Sequence, residues 1–201
     1  MKNIFLSIAL LSAVAFQAQA QISKGTLQAG GSLNYQTGNS EFSFGGIDIP
    51  LAGFGDVSTF GITPRVGYFI QDNLALGGRL AFARASQDGT ISATATGFAF
   101  APYARYYWGL SEKFYVFGEA LVNFGSINLK VGDNDAGKFG LFQIGVNPGA
   151  TYFLHEKISV EFLVNMITYS SFKPENTDAQ TSLNIGPVFE AIPTFAVLFY
   201  F

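Results

Sequence analysis

The chain has 201 residues, with 11 Lys and Arg against 14 Asp and Glu and no cysteine. Missing thiols exclude a disulfide scaffold and thiolate metal sites, and the mildly acidic balance excludes an electrostatic claim on nucleic acid. Only 12% of residues are charged while 16% are aromatic, against about 25% charged in an ordinary soluble domain.

The chain opens "MKNIFLSIALLSAVAFQAQAQ": one basic residue, Lys2, an apolar run from Ile4 to Phe16, then Ala18, Gln19 and Ala20. This pattern predicts a secretory signal peptide over residues 1–20 with the mature chain starting at Gln21. The run is shorter than the roughly 20 residues of a spanning helix. Residues 21–201 then form one domain, in which no apolar stretch is long enough for a membrane helix. Apolarity spread over short alternating pieces leaves one membrane architecture, the closed β-barrel, because lipid offers no partner for unpaired backbone groups.

In chain order the strands are predicted at Gly25–Tyr35, Val57–Ile70, Leu74–Ser86, Thr94–Leu110, Phe114–Lys130, Lys138–Leu154, Ile158–Ser171 and Ser182–Phe201. The fold class is therefore all-β, an antiparallel transmembrane barrel of about eight strands in an up-and-down meander. Three connections are short and polar, "QDN", "SEK" and "HEK"; the other four are longer, and rich in Gly, Ser, Asn and Asp. Short turns on one side and long loops on the other predict a periplasmic short-turn end, with both termini periplasmic.

Period-two alternation assigns the faces. Leu27, Leu33, Phe60, Ile62, Leu76, Leu80, Phe98, Phe100, Val122, Phe124, Ile144, Val146, Phe162 and Met166 fall on the lipid side. Gln28, Arg65, Arg79, Arg105, Glu119, Asn123, Gln143, Asn147, Thr151, Glu161 and Asn165 fall on the other. A soluble lipocalin-like barrel would reverse this. "PRVGYF", "PYARYY" and "PGATYF" repeat a P-x-x-x-Y pattern before each short turn. Tyr68, Tyr106 and Tyr152, with Trp108, are expected to form an interfacial aromatic girdle. Bulges are expected near Pro64, Pro102 and Pro148, since each proline deletes a ladder donor.

The last strand, "AIPTFAVLFYF", alternates Phe195, Val197, Phe199 and Phe201 on one face. With the signal peptide, amphipathic strands and polar turns before it, the chain resembles the small outer-membrane β-barrel domain family, of the OmpX and OmpA transmembrane-domain type. The resemblance covers the whole expected mature chain. It implies residence in the outer membrane, contact with membrane lipid and lipopolysaccharide, and a monomer with no cofactor. It also implies that Phe195, Val197, Phe199 and Phe201 are the assembly signal read by the barrel assembly machinery.

Three-residue turns would set Arg65 opposite Arg79, Arg105 opposite Glu119, Thr151 opposite Glu161 and Asn147 opposite Asn165. Two facing arginines repel unless acids reach them. An Arg/Glu network is therefore expected to plug the lumen: Arg65, Arg79 and Arg105 against Glu119 and Glu161, with Glu190 as a third acid. An eight-strand barrel is just wide enough for side chains to fill it. A narrow gated pore for ions or small solutes is the alternative.

Catalysis has little to stand on. The one histidine, His155, lies in a predicted turn beside Glu156 and Lys157 with no nucleophile at suitable spacing. A lipid-modifying barrel enzyme is thus the third reading. "DNDAG" (Asp133 to Gly137) is too short for a calcium loop and lacks a bidentate glutamate. It reads as an ordinary loop turn, and no metal site is expected. The acidic loops, with Phe42, Phe44 and Phe54, could serve adhesion or capture of an extracellular ligand that the sequence does not identify. The leading expectation is a non-enzymatic barrel with a structural or surface-interaction role.

Overall fold

A computed structural model describes residues 22–39, 41–44, 47–50, 57–87, 92–175, 178–188 and 194–201. The expected signal peptide, Phe54 and Glu190 lie outside these residues, as do the side chains of Phe42 and Phe44. The strands are β1 (Leu27–Asn39), β2 (Glu41–Phe44), β3 (Ile47–Pro50), β4 (Val57–Gln71), β5 (Leu74–Gln87), β6 (Ala93–Gly109), β7 (Phe114–Val131) and β8 (Asn134–His155). They continue with β9 (Ile158–Leu163), β10 (Asn165–Pro174), β11 (Gln180–Val188) and β12 (Thr194–Tyr200). β9 with β10, and β11 with β12, are the lower and upper parts of the last two staves, giving a closed antiparallel barrel of eight. β2 and β3 form a small hairpin within the first long loop.

Closure occurs where β12 pairs with β1, from Gln28 opposite Tyr200 to Gly31 opposite Val197. The seam is extended by Leu27 N donating to Phe201 O at 3.1 Å and Phe201 N to Leu27 O at 2.9 Å. Outward side chains at mid-strand are apolar and exposed, among them Leu33, Phe60, Leu80, Phe98, Phe124, Ile144, Phe195 and Phe201. On β12 these alternate with buried Ala196, Leu198 and Tyr200.

The short turns keep the expected registers but not all the expected closing pairs. Arg65 does face Arg79, yet the hairpin closes through Gln71 and Leu74 after a one-residue shift. The turn is Asp72 and Asn73, with Asn73 at φ 65°, a left-handed conformation that asparagine tolerates. His155 and Ile158 close the third hairpin in the same way. At the opposite end the "DNDAG" loop is shorter than expected. Val131 pairs with Asn134, and Gly132 at φ 60° makes the turn possible, so most of that segment is strand.

The expected bulges at Pro64 and Pro102 are absent: each proline keeps its ladder with one neighbour, Gly31 opposite Pro64 and Gly78 opposite Pro102, so its missing donor falls on the other side. On the other side the ladder skips two pairs and resumes in unchanged register. Pro148 likewise faces Gly118, but here the neighbouring strand is irregular. Val164 N bonds Pro148 O at 3.0 Å, and the next pair is Ile167 with Val146. One extra residue is accommodated between them, so Asn147 does not pair with Asn165 as expected. The slip also exchanges the faces of everything above it. Met166 and Ile167 are both exposed, and Thr168 and Ser170 turn inward.

This bulge holds one residue of slack. Deleting Met166 should make the register with β8 continuous but enlarge the offset from β11, which already carries the extra residue between Ile185 and Val188, so the heat-modifiable band should persist with a refolding yield lowered several-fold. Deleting Val122 from the regular part of β7 should abolish the folded band, since a one-residue slip there turns a whole inner face outward.

Candidate functional site in the barrel lumen

Four adjacent strands and one opposite them bring the charged residues together at mid-height. β4 supplies Arg65, β5 Arg79, β6 Arg105, β7 Glu119 and β9 Glu161. Each is inward because it has the parity of its strand's lumen face, and the hairpin registers set Arg65 beside Arg79, Arg105 beside Glu119 and Thr151 beside Glu161. Arg105 is the centre. Its Nη2 and Nε donate to Glu119 Oε2 at 2.5 and 3.1 Å, and its Nη1 donates to Glu161 Oε2 at 2.7 Å. Arg65 Nη2 pairs with the same Glu161 oxygen. Among the described residues the one acid that Arg79 reaches is Glu119, whose Oε1 lies 3.5 Å from its Nη1. A neutral shell completes the cluster. Thr151 donates to Glu161 Oε1 at 3.1 Å, Tyr107 to Gln28 Oε1 at 3.1 Å, and Gln28 Nε2 to Tyr103 Oη at 3.0 Å.

Burial makes these contacts strong and fragile together. The side chain of Arg105 is 0% exposed and that of Glu161 2%. Charges removed from water this far lose several kcal/mol of hydration each, on the order recovered only by good pairing geometry. Arg105 has that geometry, and its guanidinium also lies 3.9 Å from the centre of the Phe117 ring, a favourable cation–π arrangement.

Sequence alternation did not reveal what lies beneath the charges. Toward the short-turn end the inward positions are Phe69, Tyr107, Tyr115, Phe117, Phe153 and Tyr200, all buried. Their rings form a chain across the barrel, with Phe69 and Tyr107 5.5 Å apart, Tyr107 and Phe117 5.5 Å, and Phe153 and Tyr200 4.9 Å. Ile22 completes this layer, held as Asn73 N bonds Ile22 O at 3.0 Å. Phe69, Tyr107, Tyr115, Phe117 and Phe153 have the inward parity of their strands, as Tyr200 has on β12, but among so many outward aromatics they did not stand out as a layer. Room for the rings comes from glycine: a Cβ on Gly77 would stand 2.4 Å from Tyr103 Cζ, and one on Gly149 2.2 Å from Phe117 Cζ.

The remaining singled-out residues lie elsewhere. Tyr68, Tyr106, Trp108 and Tyr152 are exposed on the outer wall near the short turns, with Tyr106 and Trp108 edge to face at 5.0 Å. Phe195, Val197, Phe199 and Phe201 are exposed along β12. His155 is on its turn, where Nδ1 accepts from Lys157 N at 3.4 Å, remote from the lumen charges. Among the described residues no cluster of His, Cys, Asp and Glu has metal-holding geometry.

The sequence model of the outer membrane protein beta-barrel domain family matches residues 6–189. Among solved structures the chain is similar to Neisserial surface protein A (NspA), with 12% identity and a TM-score of 0.50 over 88% of this chain and 94% of that one. It is also similar to OprG from Pseudomonas aeruginosa, with 13% identity and a TM-score of 0.47 over 89% and 97% of the two chains. No curated protein matches the chain. At such identity the likeness to NspA speaks to the fold alone.

Replacing Glu119 by Ala leaves Arg105 with one acid and Arg79 with none, which should cost about 3–5 kcal/mol, the usual penalty for orphaning a buried charge. The check is the urea midpoint of the refolded barrel and the temperature of its gel-mobility shift. An unchanged midpoint would show that water reaches the network and screens it. Gly77→Val should prevent formation of the compact band altogether, because the ring of Tyr103 has nowhere to move.

Proposed function

Because the chain belongs to the outer membrane protein beta-barrel domain family, we propose that it is a non-conducting outer-membrane barrel that displays its long loops as an interaction surface. The observation that carries this reading is the two-layer filling of the lumen. The Arg105-centred network spans the interior at mid-height, and the aromatic layer lies between it and the short-turn end. A narrow conducting path would need a continuous file of polar, wetted side chains, and the buried rings of Phe69, Tyr107, Phe117 and Tyr200 interrupt it.

In this reading the short turns and both termini face the periplasm, and the long loops face outward. Residues 1–20 act as the signal peptide that delivers the chain. The outer wall contacts membrane lipid and lipopolysaccharide, with Tyr68, Tyr106, Trp108 and Tyr152 at the inner interface, where amphipathic rings prefer to sit. The outward alternation of Phe195, Val197, Phe199 and Phe201 serves as the mark by which the barrel assembly machinery receives the chain, which works as a monomer. A gated pore is the second reading, favoured by Arg79, whose side chain keeps 22% exposure inside the lumen.

Planar-bilayer recording of the refolded protein separates the two. The plugged barrel predicts no reproducible unitary openings from the parent. Discrete openings altered by Glu119→Ala would overturn it in favour of the gated pore. The assembly role of the last strand predicts that Phe201→Ala lowers the folded, membrane-inserted fraction in cells several-fold, while refolding into detergent is unaffected. Equal losses in both settings would reduce Phe201 to a packing residue.

A further inference from the structure

The outward faces of β5, β6, β7, β8 and β10 form continuous cross-strand rows, and their chemistry changes abruptly toward the long loops. One row is Leu80, Phe100, Phe124 and Phe142, each opposite the next. Two residues further along the strands come Phe82, Phe98, Ser126, Gly140 and Lys173. Two further still come Arg84, Thr96, Asn128 and Lys138. The wall thus passes from rings to cations within about 13 Å of strand.

Arg84, Lys138 and Lys173 are exposed, and among the described residues none of them forms an ion pair. Lys138 and Lys173 are diagonal neighbours on one face, since Lys173 lies opposite Gly140, and long like-charged side chains so placed repel. Lys130, higher on the same wall, is different: its Nζ lies 3.6 Å from Asp135 Oδ1. One acid, Glu175, stands beside Lys138, its N donating to Lys138 O at 3.1 Å. The cations are not a ring that snorkels toward water all round the barrel. In the row of Arg84, β4 carries Phe60 and β1 carries Tyr35.

We propose that this arc of the outer wall binds a phosphorylated glycolipid of the outer leaflet, the lipid A portion of lipopolysaccharide. The identification rests on the reading that the long loops face the cell exterior, which places the arc among the outer-leaflet head groups. Arg84 is on β5 and Lys138 on β8, three strand spacings or about 14 Å apart. The barrel wall is convex, which spreads outward side chains further, so one phosphate does not meet both. A head group with a phosphate at each end of a sugar pair does. One phosphate takes the planar fork of Arg84, and the other lies between Lys138 and Lys173 and removes their repulsion. Thr96 and Asn128, between them in the row, offer a hydroxyl and an amide to the sugars. The acyl chains lie against the exposed rings of Phe82, Phe98 and Phe124.

The test is native mass spectrometry of the refolded protein, released from zwitterionic micelles carrying bisphosphorylated lipid A. The parent should retain one lipid A molecule saturably, at least tenfold more tightly than monophosphorylated lipid A or phosphatidylglycerol. The double variant Arg84→Gln, Lys138→Gln should weaken retention at least tenfold, and Glu175→Gln, which removes the acid beside Lys138, should tighten it. Lys130→Gln, on the same wall, and Lys157→Gln, on a short turn, should each change it less than twofold. Equal retention by the double variant overturns the site. Equal retention of monophosphorylated lipid A overturns the two-phosphate span, and equal retention of phosphatidylglycerol overturns the glycolipid assignment. Orientation is tested separately by labelling Asp133→Cys, at the exposed β7–β8 turn, with a membrane-impermeant maleimide in intact cells, since the chain has no cysteine of its own. Labelling only after lysis overturns the outward reading, and with it the lipid named here, even where micelle binding stands. Labelling in intact cells without binding in micelles overturns the site alone. Each variant is first confirmed as folded by its gel-mobility shift.

Discussion

Every other feature of the molecule depends on the pairing of β12 with β1. In hydrocarbon an unpaired peptide group costs several kcal/mol, so a sheet with two free edges cannot reside there. Joining the last strand to the first removes both edges at once. The ladder from Gln28 with Tyr200 to Gly31 with Val197, together with the reciprocal bonds of Leu27 and Phe201, achieves that closure. It also explains why β12 is apolar and alternating: one face meets lipid, and the other packs Leu198 and Tyr200 into the aromatic layer.

Closure at eight strands sets the width of the interior, and the width makes the interior chemistry compulsory. Side chains from opposite walls touch, so whatever points inward must be paired or packed. Two solutions are stacked along the axis. At mid-height Arg105 is enclosed by carboxylates and an aromatic face. Below it, rings fill the cross-section, and Gly149 leaves the space that the ring of Phe117 occupies. The two solutions are coupled through Tyr107, which stacks on Phe69 and Phe117 while its hydroxyl accepts from Arg105 Nη1 at 3.0 Å. A disturbance of the rings is thus felt by the charges.

The prolines show how local irregularity is absorbed without a change of register. Pro64 and Pro102 keep the ladder with one neighbour, while on the other side it skips two pairs and resumes. Beside Pro148 the adjustment passes to the neighbouring strand, where an added residue reverses the faces of β10 relative to β9. Sequence alternation read through that point with one parity gives the wrong face to Thr168 and Ser170. The same bulge separates Asn147 from Asn165.

What the amino-acid order determined by itself is everything carried by a period of two over long runs and by short polar turns, although two of those turns close one residue tighter than expected. Alternation is a local consequence of the pleat, so strand positions, the lipid face, the closing strand and the register of Arg65 with Arg79 and Arg105 with Glu119 were all legible. Tertiary structure alone decided what depends on distance across the barrel or on a slip between strands. One network of these arginines and glutamates was expected, but that Glu161 is the acid shared by Arg65 and Arg105 depends on strands far apart in the chain. The inward aromatics share a residue class with the outward ones, so parity names their side only once a strand's own face is fixed. The bulge at Asn165 and Met166 arises from the fit of whole strands to one another. No local pattern encodes that fit, because the steric and electrostatic terms that set it act between residues that become neighbours only when the barrel closes.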